Sequence, residues 1–128
     1  MRSTNVALRF DRNASGVTFR MFVDGNRNGV RSADITAGVD PGLTDATRLS
    51  EFFPGVDIAV TPAAGSADPV RIGSSNLLSF TALGTATPGS IYVRGRDGLQ
   101  LAIRIFGATG RTRLQRFDAR TRRWVDSF

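Results

Sequence analysis

Apolar residues in this chain recur with a period of two, in short runs separated by Gly, Asp and Asn. Alternation of this kind marks half-buried β-strands, because successive side chains point to opposite faces. Val6, Leu8 and Phe10 alternate with Asn5, Ala7 and Arg9 and predict a first strand, with Asp11 to Gly16 as its turn. Val17, Phe19, Met21 and Val23, with Thr18 and Arg20 opposite, predict a second strand that completes a hairpin. Val56, Ile58 and Val60 predict a third strand and Leu77 to Leu83 a fourth. Ile91 and Val93 mark a fifth, closing on Arg96-Asp97-Gly98, a tight-turn signal. The clearest alternation is Leu99, Leu101, Ile103 and Ile105, with Gln100, Ala102 and Arg104 facing out. Arg111 to Phe117 and Arg123 to Val125 predict a last pair, joined by residues 118–122.

The pattern breaks between Asp24 and about Gly55, where Gly, Asp, Asn and Pro dominate. A loop of that length is uncommon in a compact domain unless it is functional or partly structured. Ala46 to Phe53 predicts a short helix stopped by Pro54-Gly55. The expected fold class is α+β, predominantly β, with 1–128 as one domain.

Composition narrows the chemistry. The 128 residues are 41% hydrophobic and contain 14 Gly, which fits a globular β-rich domain with a core of useful size. No apolar run approaches the roughly 18 residues of a membrane helix, and no signal peptide is evident. The chain has no His, no Cys and no Lys. Imidazole and thiol bases, nucleophiles and metal ligands are therefore excluded, as are Schiff bases and a Walker-type phosphate loop. Only carboxylate or metal–oxygen chemistry remains, so the expectation is a protein that is not an enzyme.

The formal net charge is +6, and it is localised. Residues 94–128 hold nine Arg and three Asp, while residues 1–93 hold eight Arg and eight acids. A GC-rich genome accounts for Arg in place of Lys but not for this concentration in one third of the chain. A basic, Arg-built, aromatic-containing tail, about 107–128, is an electrostatic footprint for a polyanion. Within it, Gly110-Arg111-Thr112-Arg113 predicts two guanidiniums on one strand face about 7 Å apart, roughly the spacing of adjacent phosphates. Gly110 lets the backbone turn, Leu114 points to the core, and Arg116, Arg120, Arg122 and Arg123 extend the charge, with Trp124 able to stack on a base or sugar. The competing reading is a solvated strand edge on which Arg discourages edge-to-edge pairing.

A second constellation is Asp24-Gly-Asn-Arg-Asn-Gly-Val-Arg-Ser-Ala-Asp34. Asp24, Asn26 and Asn28 occupy the first, third and fifth positions of a calcium loop, with Gly29 at the sixth. Asp34 falls at the eleventh, Ile35 stands where the bidentate Glu belongs, and a strand leads in where a helix should. Calcium on Asp24, Asn26, Asn28 and Asp34 stands beside the alternative of a turn-rich hairpin loop.

Taken together, Phe80 and Gly84 in the segment through Thr81-Ala-Leu-Gly-Thr-Ala, then Gly89-Ser-Ile-Tyr-Val, then Ala102-Ile-Arg-Ile-Phe-Gly-Ala-Thr-Gly-Arg-Thr-Arg, resemble the C-terminal core of GspH/FimT-type pseudopilins. The opening Asn5-Val-Ala-Leu-Arg-Phe and the Asp24 loop are similar to that family's first hairpin, so the resemblance covers roughly residues 3–117. It implies an N-terminal helix packed on two antiparallel β-sheets and a role without catalysis. Its members are minor subunits near the tip of a type IV pilus or a type II secretion pseudopilus. The implied partners are other minor pilins or pseudopilins, with anchorage in the inner membrane through an N-terminal transmembrane helix. This sequence starts where that helix should already have ended, as a shortened soluble head or a gene encoding only the head would. In FimT-type members the Gly-Arg-x-Arg motif is associated with capture of double-stranded DNA in natural transformation, which points to Arg111 and Arg113. The alternative is a purely structural tip subunit of type II secretion.

Overall fold

In the computed structural model, residues 4–14, 16–61, 64, 68–73 and 76–126 are described. They form two antiparallel sheets packed face to face. In chain order the strands are β1 (Val6–Asn13), β2 (Gly16–Val23), β3 (Thr47–Arg48), β4 (Asp57–Ile58), β5 (Val70–Ile72), β6 (Leu77–Phe80), β7 (Gly89–Arg94), β8 (Gln100–Ile105), β9 (Thr112–Asp118) and β10 (Arg123–Asp126). One helix, α1 (Ser32–Thr36), lies between β2 and β3. The first sheet has the order β3-β2-β1-β6; the second runs β10-β9-β8-β7-β4, with β5 also paired to β7. The expected two-sheet, mostly β architecture is therefore present.

The main core fills the space between the sheets. Phe10, Val17 and Leu78 from the first sheet meet Ile58, Val70, Ile72, Ile91 and Ile105 from the second. Leu8, Phe19, Phe80 and Ile103 complete it only in part. They border an open apolar channel of about 300 Å³, lined by both sheets and by Leu49.

A second, smaller core lies on the opposite face of the first sheet. Ala7, Phe22 and Leu77 are buried there beneath Val30, with Ile35 against them. The long segment after β2 is thus a lid on that face. It returns along the edge of β2, where Leu43 N–H donates to Met21 O and β3 pairs with Thr18 and Phe19.

Several boundaries differ from those expected. β1 runs through Asn13, because Asp11 and Arg12 pair with Thr18 and Val17 instead of turning. Arg12 is held there by Asp68 at 2.8 Å, Asn76 at 2.9 Å and Val70 O at 2.8 Å, joining the two sheets. The expected helix at 46–53 is reduced to one 3-10 turn, Leu49–Glu51, preceded by β3. The free edge of β2 needs partners for its backbone groups, and that need outweighs local helix propensity. The third strand shrinks to Asp57–Ile58, and the fourth stops at Phe80, where Thr81–Thr85 turns back and leaves Leu83 exposed. β5 has no counterpart among the expected strands; three residues are too few to show a period. Gln100 and Ala102 are buried, not solvated. The Gln100 amide oxygen accepts from Thr61 N–H, while its nitrogen donates to the carbonyls of Ala59, Val93 and Leu101.

Candidate nucleic-acid interface

β8 and β9 are joined by residues 106–111, a hairpin connection whose tip is 107–110. It is closed by two backbone bonds, Phe106 N–H to Arg111 O at 2.9 Å and Gly110 N–H to Phe106 O at 2.8 Å. Gly110 has φ +65°, the left-handed region where Gly carries no Cβ penalty. A Cβ there would also stand 3.1 Å from Gly84 O, so the loop leans on the 81–85 turn. This geometry sets the start of β9, with Arg111 just before it and Arg113 within it. Arg111 and Arg113 are both exposed. Arg113 lies over the half-exposed Phe106 ring at 5.7 Å, with its Nε 3.8 Å from Asp126.

Leu114 is opposite Ile103 and faces the other sheet, as expected. Register divides the remaining arginines. Arg113 is on the outer face of the six-stranded sheet, away from the first sheet. Arg116, opposite Leu101, and Arg123, opposite Asp118, belong to the inner face at its uncovered margin. Arg120 and Arg122 sit in the β9–β10 turn, Arg122 with φ +55°. That turn is about 20 Å of strand from Arg111, taking roughly 3.3 Å per residue of β9. The structure therefore brings Gly110, Arg111 and Arg113 together and sets Arg116, Arg120, Arg122 and Arg123 apart from them. Among the described residues, Arg111, Arg116, Arg120, Arg122 and Arg123 make no side-chain hydrogen bond or ion pair.

Trp124 is not a free platform. It is half-buried, with ring centroids 5.5 Å from Tyr92 and 5.2 Å from Phe117. Arg104 lies 5.2 Å above it and 5.4 Å from Tyr92, and donates to Gln115 Oε1, Ser90 Oγ and Tyr92 Oη, each at 2.9 Å. Sequence reading placed Arg104 outward but did not join it to this group. The signal was available in the β8–β9 hairpin: closing it at 107–110 pairs residue 104 with residue 113.

The four residues considered for calcium do converge. Asn26 Nδ2 and Asn28 Nδ2 donate to Asp34 Oδ2 at 3.3 and 3.2 Å. Asp24 accepts from Asn5 Nδ2 and from Gly29 N–H, both at 2.8 Å, and from Asn26 N–H at 3.2 Å. Burial pushes its carboxyl up, but these bonds, with one from the Arg27 backbone, outweigh that and hold it below the ordinary 3.8. Asp40, 1% exposed, accepts from Gly25 N–H and Arg31 N–H, both at 2.9 Å. The carboxylates of Asp24 and Asp40 thus tie down the loop backbone itself. Among the described residues, no three acidic side chains are placed to hold a metal ion.

Compared with protein-family models, curated proteins and solved structures, the chain matches none. On its own geometry it is a two-sheet, predominantly β domain with a lidded face and an Arg-rich one.

Proposed function

We propose that this chain is the head of a minor pilin or pseudopilin that holds double-stranded DNA through Gly110, Arg111 and Arg113, without catalysis and without sequence preference. The observation that carries the DNA reading is the paired exposure of Arg111 and Arg113 behind a left-handed Gly110, with Asp126, 3.8 Å from Arg113, the acid that pairs with either one among the described residues. Guanidinium forks grip phosphate oxygens bidentately. Neutralising phosphates releases counterions, so four engaged Arg would give a log–log salt slope of roughly −3 to −4. Heads arrayed along a filament would add multivalent retention to a micromolar contact.

The pilin reading is supported by the two-sheet architecture and by the open apolar channel. Proteins of that kind carry an apolar N-terminal helix, which is an occupant of the right chemistry for a channel walled by Leu8, Phe19, Phe80 and Ile103. The second reading, a purely structural tip subunit, is favoured by Phe52, Phe53 and Leu83, each more than half exposed. They are suited to docking on a neighbouring subunit.

Titrating labelled duplex at low and moderate salt, beside an Arg111→Ala, Arg113→Ala double variant, tests the proposal. Binding should weaken by roughly an order of magnitude or more and the salt slope should shrink by about 2, with an unchanged circular dichroism spectrum. Normal binding by the double variant would remove the site assignment. No binding by the parent protein at low salt would leave the structural reading.

A further inference from the structure

The cross-strand register of the six-stranded sheet aligns arginines that are far apart in sequence. Arg71 on β5 is opposite Ser90 on β7, Ser90 is opposite Arg104 on β8, and Arg104 is opposite Arg113 on β9. Residues directly opposite share a face, so Arg71, Arg104 and Arg113 form one row running across the strands. Neighbouring strands are about 4.8 Å apart, which makes the row about 14 Å long. Arg111 adjoins its β9 end, opposite Phe106.

Like charges placed directly opposite destabilise a sheet, and Arg104 faces Arg113 with no described acid in the row itself. Among the described residues, two carboxylates approach it. Asp126 is 3.8 Å from Arg113, and Asp68, close to Arg71, is already gripped by Arg12 at 2.8 Å. The row is kept rigid by rings instead. Arg71 lies 4.7 Å and Arg104 5.4 Å from the Tyr92 ring, so those two guanidiniums are within about 10 Å of each other. Arg71 Nε also donates to Asp68 O, and Arg104 is fixed by its three side-chain acceptors. Cations held in one rotamer by stacking lose little side-chain entropy when a ligand arrives.

Resting on the DNA reading above, we propose that the phosphate-binding surface is this transverse row. The DNA backbone would cross the outer face of the sheet from Arg111 and Arg113, over Arg104, to Arg71, and would not follow β9 to its hairpin turn. Adjacent phosphates of one DNA strand are roughly 7 Å apart along the backbone, so a row of about 14 Å faces about three of them.

Arg71 is the informative position, being exposed, outside the basic tail and 40 residues before Arg111. Duplex titrations would compare the parent protein, Arg71→Ala, Arg71→Lys, the Arg111→Ala, Arg113→Ala double variant, and Arg31→Ala, which removes the same charge from the loop over the other sheet. Arg71→Ala should weaken binding about three- to tenfold and lower the salt slope by about 1. Arg71→Lys should recover most of the slope, and Arg31→Ala should stay within about twofold of the parent. If the double variant loses binding while Arg71→Ala matches Arg31→Ala, the site is confined to the Gly110 loop and the row is overturned while the DNA reading stands. If the parent protein does not bind duplex, both fall together.

Discussion

The outer faces of the two sheets differ in what covers them. On the four-stranded sheet, Ala7, Phe22 and Leu77 are covered by the protein's own 24–43 segment, and two acids of that segment, Asp24 and Asp40, are buried. Asp24 and Asp40 spend their lone pairs on loop N–H groups. On the six-stranded sheet no described loop covers Arg71, Arg113 or Trp124, and the charge is carried by guanidiniums lying on rings. Two carboxylates of the lidded face have become internal structure, and the cations there, Arg9 and Arg20, lie 4.9 and 5.0 Å from the Phe22 ring, whereas Arg71, Arg111 and Arg113 on the other face are exposed.

The contrast breaks most easily at the lid. A Cβ on Gly25 would run into the Val39 carbonyl oxygen, which is backbone and cannot swing away. Gly25→Ala should cost about 3 kcal/mol in urea unfolding, as overpacking against a fixed wall does. Asp40→Ala should cost about 2 kcal/mol by the same measurement, since two part-buried N–H groups lose a charged acceptor; Asp40→Asn should recover part of it. On the other sheet, Arg111→Ala or Arg123→Ala should change stability by less than about 0.5 kcal/mol, because neither side chain has a partner among the described residues.

Acid sharpens the comparison. The folded pKa values of Asp24 and Asp68 are depressed. For Asp68, burial pushes upward, but the bond from Arg12, the Val70 N–H and the charges of Arg12 and Arg71 prevail. Groups of this sign contribute fully above their unfolded value of about 3.8 and lose that contribution as pH falls through the folded value. Stability should be flat down to about pH 5 and fall below about pH 4, with Asp24→Asn flattening part of the fall in pH-dependent thermal melts. The smallest effect is expected from chelation. A loop satisfied by its own amides should melt at the same temperature with calcium or with EDTA; a shift of several degrees would make the 24–34 segment a calcium site after all.

β2 and β8, which alternate over six or more residues, were legible in the sequence because their inner faces meet one continuous core. What was hidden depends on pairing. Val70–Ile72 is a strand only because β7 offers it an edge, and Ala46–Phe53 avoids a helix only because β2 does the same. Gln100 looked solvent-facing because period two identifies a face but not what lies over it. In the candidate site, Gly110, Arg111 and Arg113 could be found locally, since one turn positions all three. Arg71 and Arg104 could not be joined to them without the register of three strand pairs. Trp124, whose aromatic chemistry suggested a free stacking platform, is engaged by Tyr92, Phe117 and Arg104.

Tyr92 and Trp124 are the chain's only tyrosine and only tryptophan, and they lie together beneath the arginines of one sheet. Ultraviolet emission and the strongest near-ultraviolet dichroism therefore originate from that face alone, and the lidded sheet contributes no indole or phenol signal. A fluorescence melt follows the six-stranded sheet, whereas far-ultraviolet dichroism averages over both. Superimposed curves would mean that the two sheets unfold as a single cooperative unit, and an earlier dichroic transition would mean that the lidded sheet lets go first.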